Sequence, residues 1–467
     1  MSQSPHMLVV VGHGAAGLAA ALSAAEQAKS RGLPIEITLL EKSREDEAGG
    51  NTIWSPSNMR LDAADRIGLG FEEDMQRASG GLADRDYFRA LAENATATVG
   101  WLQSHGIEFI TPTYYLSAGP ARIQPVGGGR AIVEKLAAAA RAAGVKILYQ
   151  TAVSQLVMAR DRRVSGVAVQ GSAGVTTIDA DAVVLAIGGF QGNPAMMRAN
   201  FGAGTETLRL ISPGTRFDSG DGIRMATEHG ASLSGAWDGM HIEPIDPRSK
   251  NSAPVVLVYP YGIVVDQEGQ RFFDEGAGLM HETWEAFARD IHFARPNSIA
   301  YAILDSRLLE IEGFERAIRS EVPPNQAETI EGLAAQIGVP PDNLKATVAT
   351  FNAAATGDPA RFDASRCDGL AAAGTLKPPK SNWARAITQP PFLSYPLVGA
   401  IAYTFGGLAT NDKAEVLCAE GPIPGLYAAG EITGHFYGIA PNAVAVLRAL
   451  VFGKIAGREA VGFLQRR

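Results

Sequence analysis

Met7-Leu8-Val9-Val10-Val11-Gly12-His13-Gly14-Ala15-Ala16-Gly17 is the stretch that decides how this chain folds. A short apolar, β-branched run entering a G-x-G-x-x-G turn reads as a strand, and the alanine-rich residues 18–29 beyond it read as a helix. Arg31-Gly32-Leu33-Pro34 then breaks the chain, and residues 35–40 form a second buried strand that ends in Glu41. Each residue of this β-α-β unit has a physical task. Gly12 permits the turn, Gly14 lets the backbone approach a pyrophosphate, and Gly17 allows close helix packing beside Ala16. Glu41, 24 residues past Gly17 and followed by Lys42, can accept hydrogen bonds from a ribose. A glycine loop that only packed a helix on a sheet would not need that carboxylate. An acid there, rather than arginine, speaks for a free 2′-hydroxyl.

Outward from this unit, 467 residues predict two or three domains at roughly 150 each. Hydrophobic residues make up 46% and charged residues 19%, enough for a sizeable core, so intrinsic disorder is excluded as the main state. A net charge of −8 gives no field to draw the chain onto nucleic acid or anionic lipid, and neither partner is expected. Cys367 and Cys418 are too few for a disulfide framework and lack metal-site spacing, so no metal is expected. The longest apolar stretch, 443–456, is cut by Arg448 and Lys454, short of the ~18–20 residues a membrane span needs. With no export signal before Met7, the expected location is the cytoplasm. The sequence also has no Walker loop, H-E-x-x-H or nucleophile elbow.

The opening motif does not distinguish FAD from NAD, but two later segments do. Residues 179–189 form another buried strand ending in Gly188-Gly189, and Gly425-Leu426-Tyr427-Ala428-Ala429-Gly430-Glu431 repeats strand, small residues and acid. A nucleotide surface that returns after hundreds of residues suits FAD. Between the returns, residues 237–388 are richer in proline and aromatics and carry a helix at 344–355. The predicted fold is therefore α/β. A Rossmann-like FAD domain (1–236 and 389–467) is interrupted by an α+β capping domain (237–388).

Together, Gly12-His13-Gly14-Ala15-Ala16-Gly17, Gly49-Gly50-Asn51-Thr52, residues 180–190, Ser219-Gly220-Asp221-Gly222, residues 262–275 and 425–431 resemble the flavoproteins of the fumarate reductase and succinate dehydrogenase superfamily. These pieces span nearly the whole chain. Gly127-Gly128-Gly129-Arg130-Ala131 and the helix at 344–352 look most like soluble tricarballylate dehydrogenase-type members. The resemblance implies FAD held by Gly50, Asn51, Thr52, Val153, Gly188, Gly189, Asp221, Gly430, Glu431, Ala443 and Val444, besides the opening motif. It also implies hydride transfer between flavin N5 and a carbon beside a carbonyl or carboxylate. Where membrane-complex members carry a histidine that bonds the ring, this chain has Asn51. Dissociable, non-covalent FAD is expected.

The chain departs from the family at the substrate. The proton-donating arginine of fumarate reductases falls on Leu279, a substrate-binding histidine on Tyr403, and a carboxylate-binding arginine on Gly438. What remains around the expected ring is Tyr114, Tyr115, Tyr259, Tyr261, Tyr403, His435 and Tyr437, with His241 and Glu243 alternatives for the family's histidine-proline site. Tyr403, His435, Tyr259, Tyr261 and His241 are the expected catalytic residues, with core packing the competing explanation for each tyrosine. A phenol can bond a ketone oxygen or, as phenolate, remove the neighbouring proton, with His435 the expected cation beside Tyr403. His13 reads as space-filling and His105 as a helix end. The expected function is FAD-dependent dehydrogenation, or desaturation, of a carbon-carbon bond next to a carbonyl or carboxylate. The substrate is a small tricarballylate-like carboxylate, gripped by Arg122, Arg130 or Arg216, or a cyclic ketone or keto acid. A fumarate reductase-like reductase and a flavin electron-transfer subunit working through a protein partner are the alternatives, and the electron acceptor stays open.

Overall fold

The computed structural model describes residues 4–63, 66–112, 116, 119–171, 174–372, 374 and 376–467, so Tyr114 and Tyr115 lie outside the described residues. The opening strand, His6–Val11, runs parallel to Ile35–Leu40 on one side and Ala182–Leu185 on the other. The full order is Glu415–Cys418, Gly421–Ala428, Ala182–Leu185, His6–Val11, Ile35–Leu40 and Lys146–Leu148, with the first strand antiparallel to the second. Both distant returns of the sequence thus enter one sheet. Leu8 and Val10 face one apolar layer while Val9 and Val11 face another, as a strand buried on both faces requires.

One layer is helical. Ala15–Arg31 lies between Gly128–Ala142 and the last helix, Ala445–Gln465. The two backbones touch, since a Cβ on Gly453 would lie 2.4 Å from the Ala16 carbonyl oxygen. The opposite layer is an antiparallel three-stranded sheet of Ala152–Met158, Val164–Gly171 and Gly174–Asp179.

The capping sheet is organised around Phe392–Thr404, which pairs with Arg209–Leu210, Met240–Ile245, Ala300–Leu304 and Asn325–Ala327. Ile263–Val265 adds beyond Ala300–Leu304. Met280–Ala294 packs on this sheet, and Ile330–Ile337 pairs with Pro341–Ala354, the helix expected at 344–355. A boundary at 389 assigns Phe392–Thr404 to the flavin domain; the pairing makes it the central strand of the capping sheet. Its last residues still reach the flavin domain, because the Thr404 amide donates to Glu431 Oε1 at 3.1 Å. None of the described helices is long and apolar enough to cross a membrane.

Candidate active site

One continuous cleft is lined both by the opening turn and by residues of the capping wall. Its first end is made of backbone. Gly12 has φ +107°, and a Cβ there would sit 2.2 Å from the Ala186 carbonyl oxygen; a Cβ on Gly17 would sit 1.9 Å from that of Gly12. Gly14 is different: its nearest neighbour would be Thr52 Oγ1 at 3.6 Å, so the backbone here is open to the cleft. The helix that starts after Gly14 has no capping side chain of its own and no acid in its first turn; Thr52 Oγ1 accepts from the Ala15 amide at 3.2 Å, and the N-terminal dipole favours an anion. Glu41 accepts from the amides of His13 at 2.9 Å and Ser43 at 2.7 Å, so it shapes the turn while facing the cleft. This cradle fits a dinucleotide pyrophosphate and ribose.

His13 does more than fill space. It bonds Tyr149 at 3.2 Å, and burial lowers its pKa to about 4, which keeps the ring neutral. Further along, Lys42 donates to Ser219 Oγ at 2.6 Å, and Ser219 donates to Asp221 at 2.5 Å, at the cleft wall. Two buried carboxyls follow. Burial and the nearby Glu431 raise the pKa of Asp218 well above its ordinary value, and burial raises Glu431 to about 7. Gly189 makes room for the latter, since a Cβ there would lie 2.3 Å from Glu431 Oε1.

The other end is made of side chains from distant segments. Asn51 donates to the Ala402 carbonyl at 2.7 Å and accepts from Ser212 at 2.8 Å. Tyr403 stacks on His241 with ring centroids 4.7 Å apart and planes at 23°. His241 Nε2–H donates to Glu243 at 2.9 Å, and Nδ1 bonds Glu285 Oε1. Burial alone would lower the His241 pKa, but the charges and hydrogen bonds of Glu285 and Glu243 raise it to about 10. Burial likewise disfavours ionised Glu243, and His241 and Arg319 reverse that, holding its carboxyl below the usual value. Tyr403 moves the other way: burial and then Glu285 push its pKa well above 10, against the pull of Arg448. It is a phenol, a hydrogen-bond donor and not a phenolate base.

Of the residues singled out from sequence, Gly12, Gly14, Ala16, Glu41, Lys42, Gly50, Asn51, Thr52, Val153, Gly188, Asp221, Gly430, Glu431 and Ala443 line the cleft with Tyr403 and His241. Gly17, Gly189 and Val444, expected there too, are not among the lining residues. Glu243 and His241, alternatives in the sequence, both line it. Three expected catalytic residues are elsewhere. Tyr259 is buried in the capping core, bonded to Thr283 at 3.1 Å and packed on Phe287, and Tyr261 donates to the Ala364 carbonyl at 3.0 Å. Burial pushes both phenols far above their ordinary pKa. His435 stacks on Tyr87 at 3.5 Å and bonds Thr410 at 2.8 Å; burial and Arg448 hold it well below its ordinary pKa, so it is no cation beside Tyr403. Arg130 and Arg216 are exposed, paired with Glu134 and Glu47, whereas Arg122 lines the cleft.

Sequence reasoning missed Glu285, Trp284, Arg319 and, as part of the site, Arg448. Arg448 was visible as a charge inside an apolar helix; it is fully buried, lines the cleft and donates to the Thr433 carbonyl at 3.2 Å. The others carry no local signal.

Comparison with known proteins adds to this geometry. The FAD binding domain family matches residues 8–444. Vinyl phenol reductase of Lactiplantibacillus plantarum is 28% identical over 98% of this chain and 97% of its own. The 4-oxocyclohexanecarboxylate 2-dehydrogenase of Sinomonas cyclohexanicum is 31% identical over 72% of this chain and 61% of its own. Among solved structures, the open conformation of a flavocytochrome c3 fumarate reductase superposes with a TM-score of 0.77 at 26% identity, covering 99% of this chain and 79% of that one.

Proposed function

Because the chain belongs to the FAD binding domain family and is an FAD-dependent oxidoreductase of CH–CH bonds, we propose that it dehydrogenates a carbon-carbon bond next to the carbonyl of a small carboxylated substrate. The observation that carries this reading is Tyr403, a half-buried phenol kept protonated on the cleft wall and stacked on His241, which in turn bonds Glu243. When bound, FAD supplies the hydride acceptor. The phenol of Tyr403 donates a hydrogen bond to the substrate carbonyl oxygen, where negative charge grows as the neighbouring carbon loses its proton. The His241–Glu243 pair moves that proton, and a carboxylate acting beside a phenol donor is a workable arrangement for acidifying a carbon next to a ketone. Arg122 and Arg319 on the same cleft suit a substrate carboxylate. A cyclic keto acid uses all of these groups at once. A tricarballylate-like carboxylate uses the arginines and offers a carboxyl in place of the ketone.

One observation favours the opposite direction. His241, protonated at neutral pH, places a proton donor at the cleft although the position of the family's arginine is Leu279, which makes reduction of an enone or enoate the second reading. Anaerobic mixing separates them. Oxidised holoenzyme is expected to bleach with a saturated cyclic keto carboxylate or tricarballylate, and dithionite-reduced holoenzyme to stay reduced when offered the unsaturated partner. Faster reoxidation by the unsaturated compound than bleaching by the saturated one reverses the assignment. A panel inert in both directions replaces it with an electron-carrying subunit.

A further inference from the structure

Glu285 lies on the second turn of the capping helix Met280–Ala294 and is tied at both oxygens. Oε1 holds His241 Nδ1, and Oε2 accepts from the Ala440 amide at 3.1 Å, on the flavin-domain loop that lines the cleft. The imidazole is therefore engaged at both nitrogens, since Nε2–H donates to Glu243. Four elements face the ring with titratable or charged groups. They are Glu243 on its own strand, Glu285 on the helix, Tyr403 on Phe392–Thr404, and Arg319, which acts on Glu243.

We propose that Glu285 is a positioning residue: by clamping His241 Nδ1 against the loop at Ala440 it fixes the imidazole as a two-sided donor and leaves Glu243 as the proton acceptor that faces the substrate. This rests on the proton-moving role given above to the His241–Glu243 pair. An imidazole with both nitrogens donating has no lone pair to receive a proton. The carboxylate of Glu243 takes only one hydrogen bond from His241, so its remaining lone pairs can accept a proton from a carbon in the cleft, and His241 then stabilises the ionised state to which Glu243 returns. Glu285 also joins cap to flavin domain at that point. The charge on His241 is thereby coupled to the docking of the two.

The test needs no substrate. Holoenzyme labelled with 13C at histidine Cε1 has eight histidine signals, and His241→Asn assigns the relevant one. In the unaltered protein that signal is expected to stay protonated from pH 6 to 9, with a midpoint near 10. Glu285→Gln removes the charge but not the bonds, because the amide can accept from Ala440 and donate to a neutral Nδ1. Its expected result is a midpoint inside pH 6–9 with the FAD spectrum unchanged. A His241 midpoint that does not move in Glu285→Gln overturns the proposal, as does titration between pH 6 and 9 in the unaltered protein. Should Glu285→Gln lose FAD, Glu285→Asp, charged but one methylene shorter, is read instead, with the same criterion of a lowered midpoint. Neither result depends on the bleaching panel. A silent panel with a shifted midpoint rejects the dehydrogenase reading alone, and an active panel with an unmoved midpoint rejects the role of Glu285 alone.

Discussion

The two ends of the cleft solve opposite problems with opposite materials. At the opening turn a permanent anion must be held, and the chain offers mainly backbone for it: bare glycines, a helix that begins at a glycine and one carboxylate that braces the loop. On the proposed mechanism a proton moves at the capping wall, which is lined by side chains from segments up to 352 positions apart, Asn51 to Tyr403. Two buried histidines show the contrast in charge. His13, where burial outweighs the nearby Glu41, is held neutral with a pKa near 4, while His241, between two carboxylates, is held cationic with a pKa near 10. Burial works in the same direction on both; the neighbours decide the outcome.

The comparison breaks first at Gly17. Gly17→Val places carbon inside the Gly12 carbonyl, and the expected result is protein purified without FAD, or none that folds; a yellow, stable variant would show that the turn is not rigid. In the unaltered protein, acid precipitation should release all the colour, since the Asn51 amide offers no link to the ring; colour left on the pellet would contradict this. At the other end Tyr403→Phe should keep FAD bound while flavin reduction by an active substrate slows ~10²-fold, the scale for losing one donor to a developing oxyanion. Unchanged reduction would make Tyr403 a packing residue. Glu41→Gln weakens charge-assisted bonds worth ~1.5–3 kcal/mol, which predicts roughly a 10- to 100-fold loss of FAD affinity by titration.

A smaller effect separates the two histidines by sign. His241 binds its proton more tightly folded than unfolded, so the stability it adds is whole below its unfolded pKa of 6.5 and is lost as pH rises toward about 10. For His13 the folded pKa is depressed, so stability present above 6.5 is lost as pH falls toward about 4. Melting curves should therefore converge with those of His241→Asn on the alkaline side, while His13→Gln should flatten the acid-side loss. Parallel curves at every pH would refute both assignments. Last and smallest, Arg130→Ala and Arg216→Ala should leave FAD affinity and reduction rates nearly unchanged, because both side chains are exposed, pair with Glu134 and Glu47, and do not themselves line the cleft.

The same division governs what the sequence discloses. The dinucleotide end is legible because backbone geometry requires particular residues at fixed spacing within one β-α-β unit, and the two returning strands repeat the pattern. The substrate end is legible only where a side chain lies beside a flavin motif, as Tyr403 does next to Gly406-Gly407. Glu285 and Arg319 belong to an ordinary amphipathic helix and a loop, and only the folded chain brings the first to His241 and the second to Glu243. Tyr259 and Tyr261 have the right chemistry and the wrong orientation, a distinction set by capping-core packing that no spacing encodes. The strand Phe392–Thr404 was hidden for a local reason. It contains Pro396 and Gly399, residues that argue against a central strand, yet its neighbours on both sides override that preference.

That strand limits how this enzyme can be rebuilt. A cap exchanged as a cassette between 237 and 388 would leave its spine behind, and the incoming sheet would have to pair with a strand selected for another partner. Recombination that keeps the fold has to carry Phe392–Thr404 with the insert, and Tyr403 travels with it. If Tyr403 acts as proposed, a change of substrate has to be made in cap and phenol together, while the dinucleotide cradle can be kept as a constant frame.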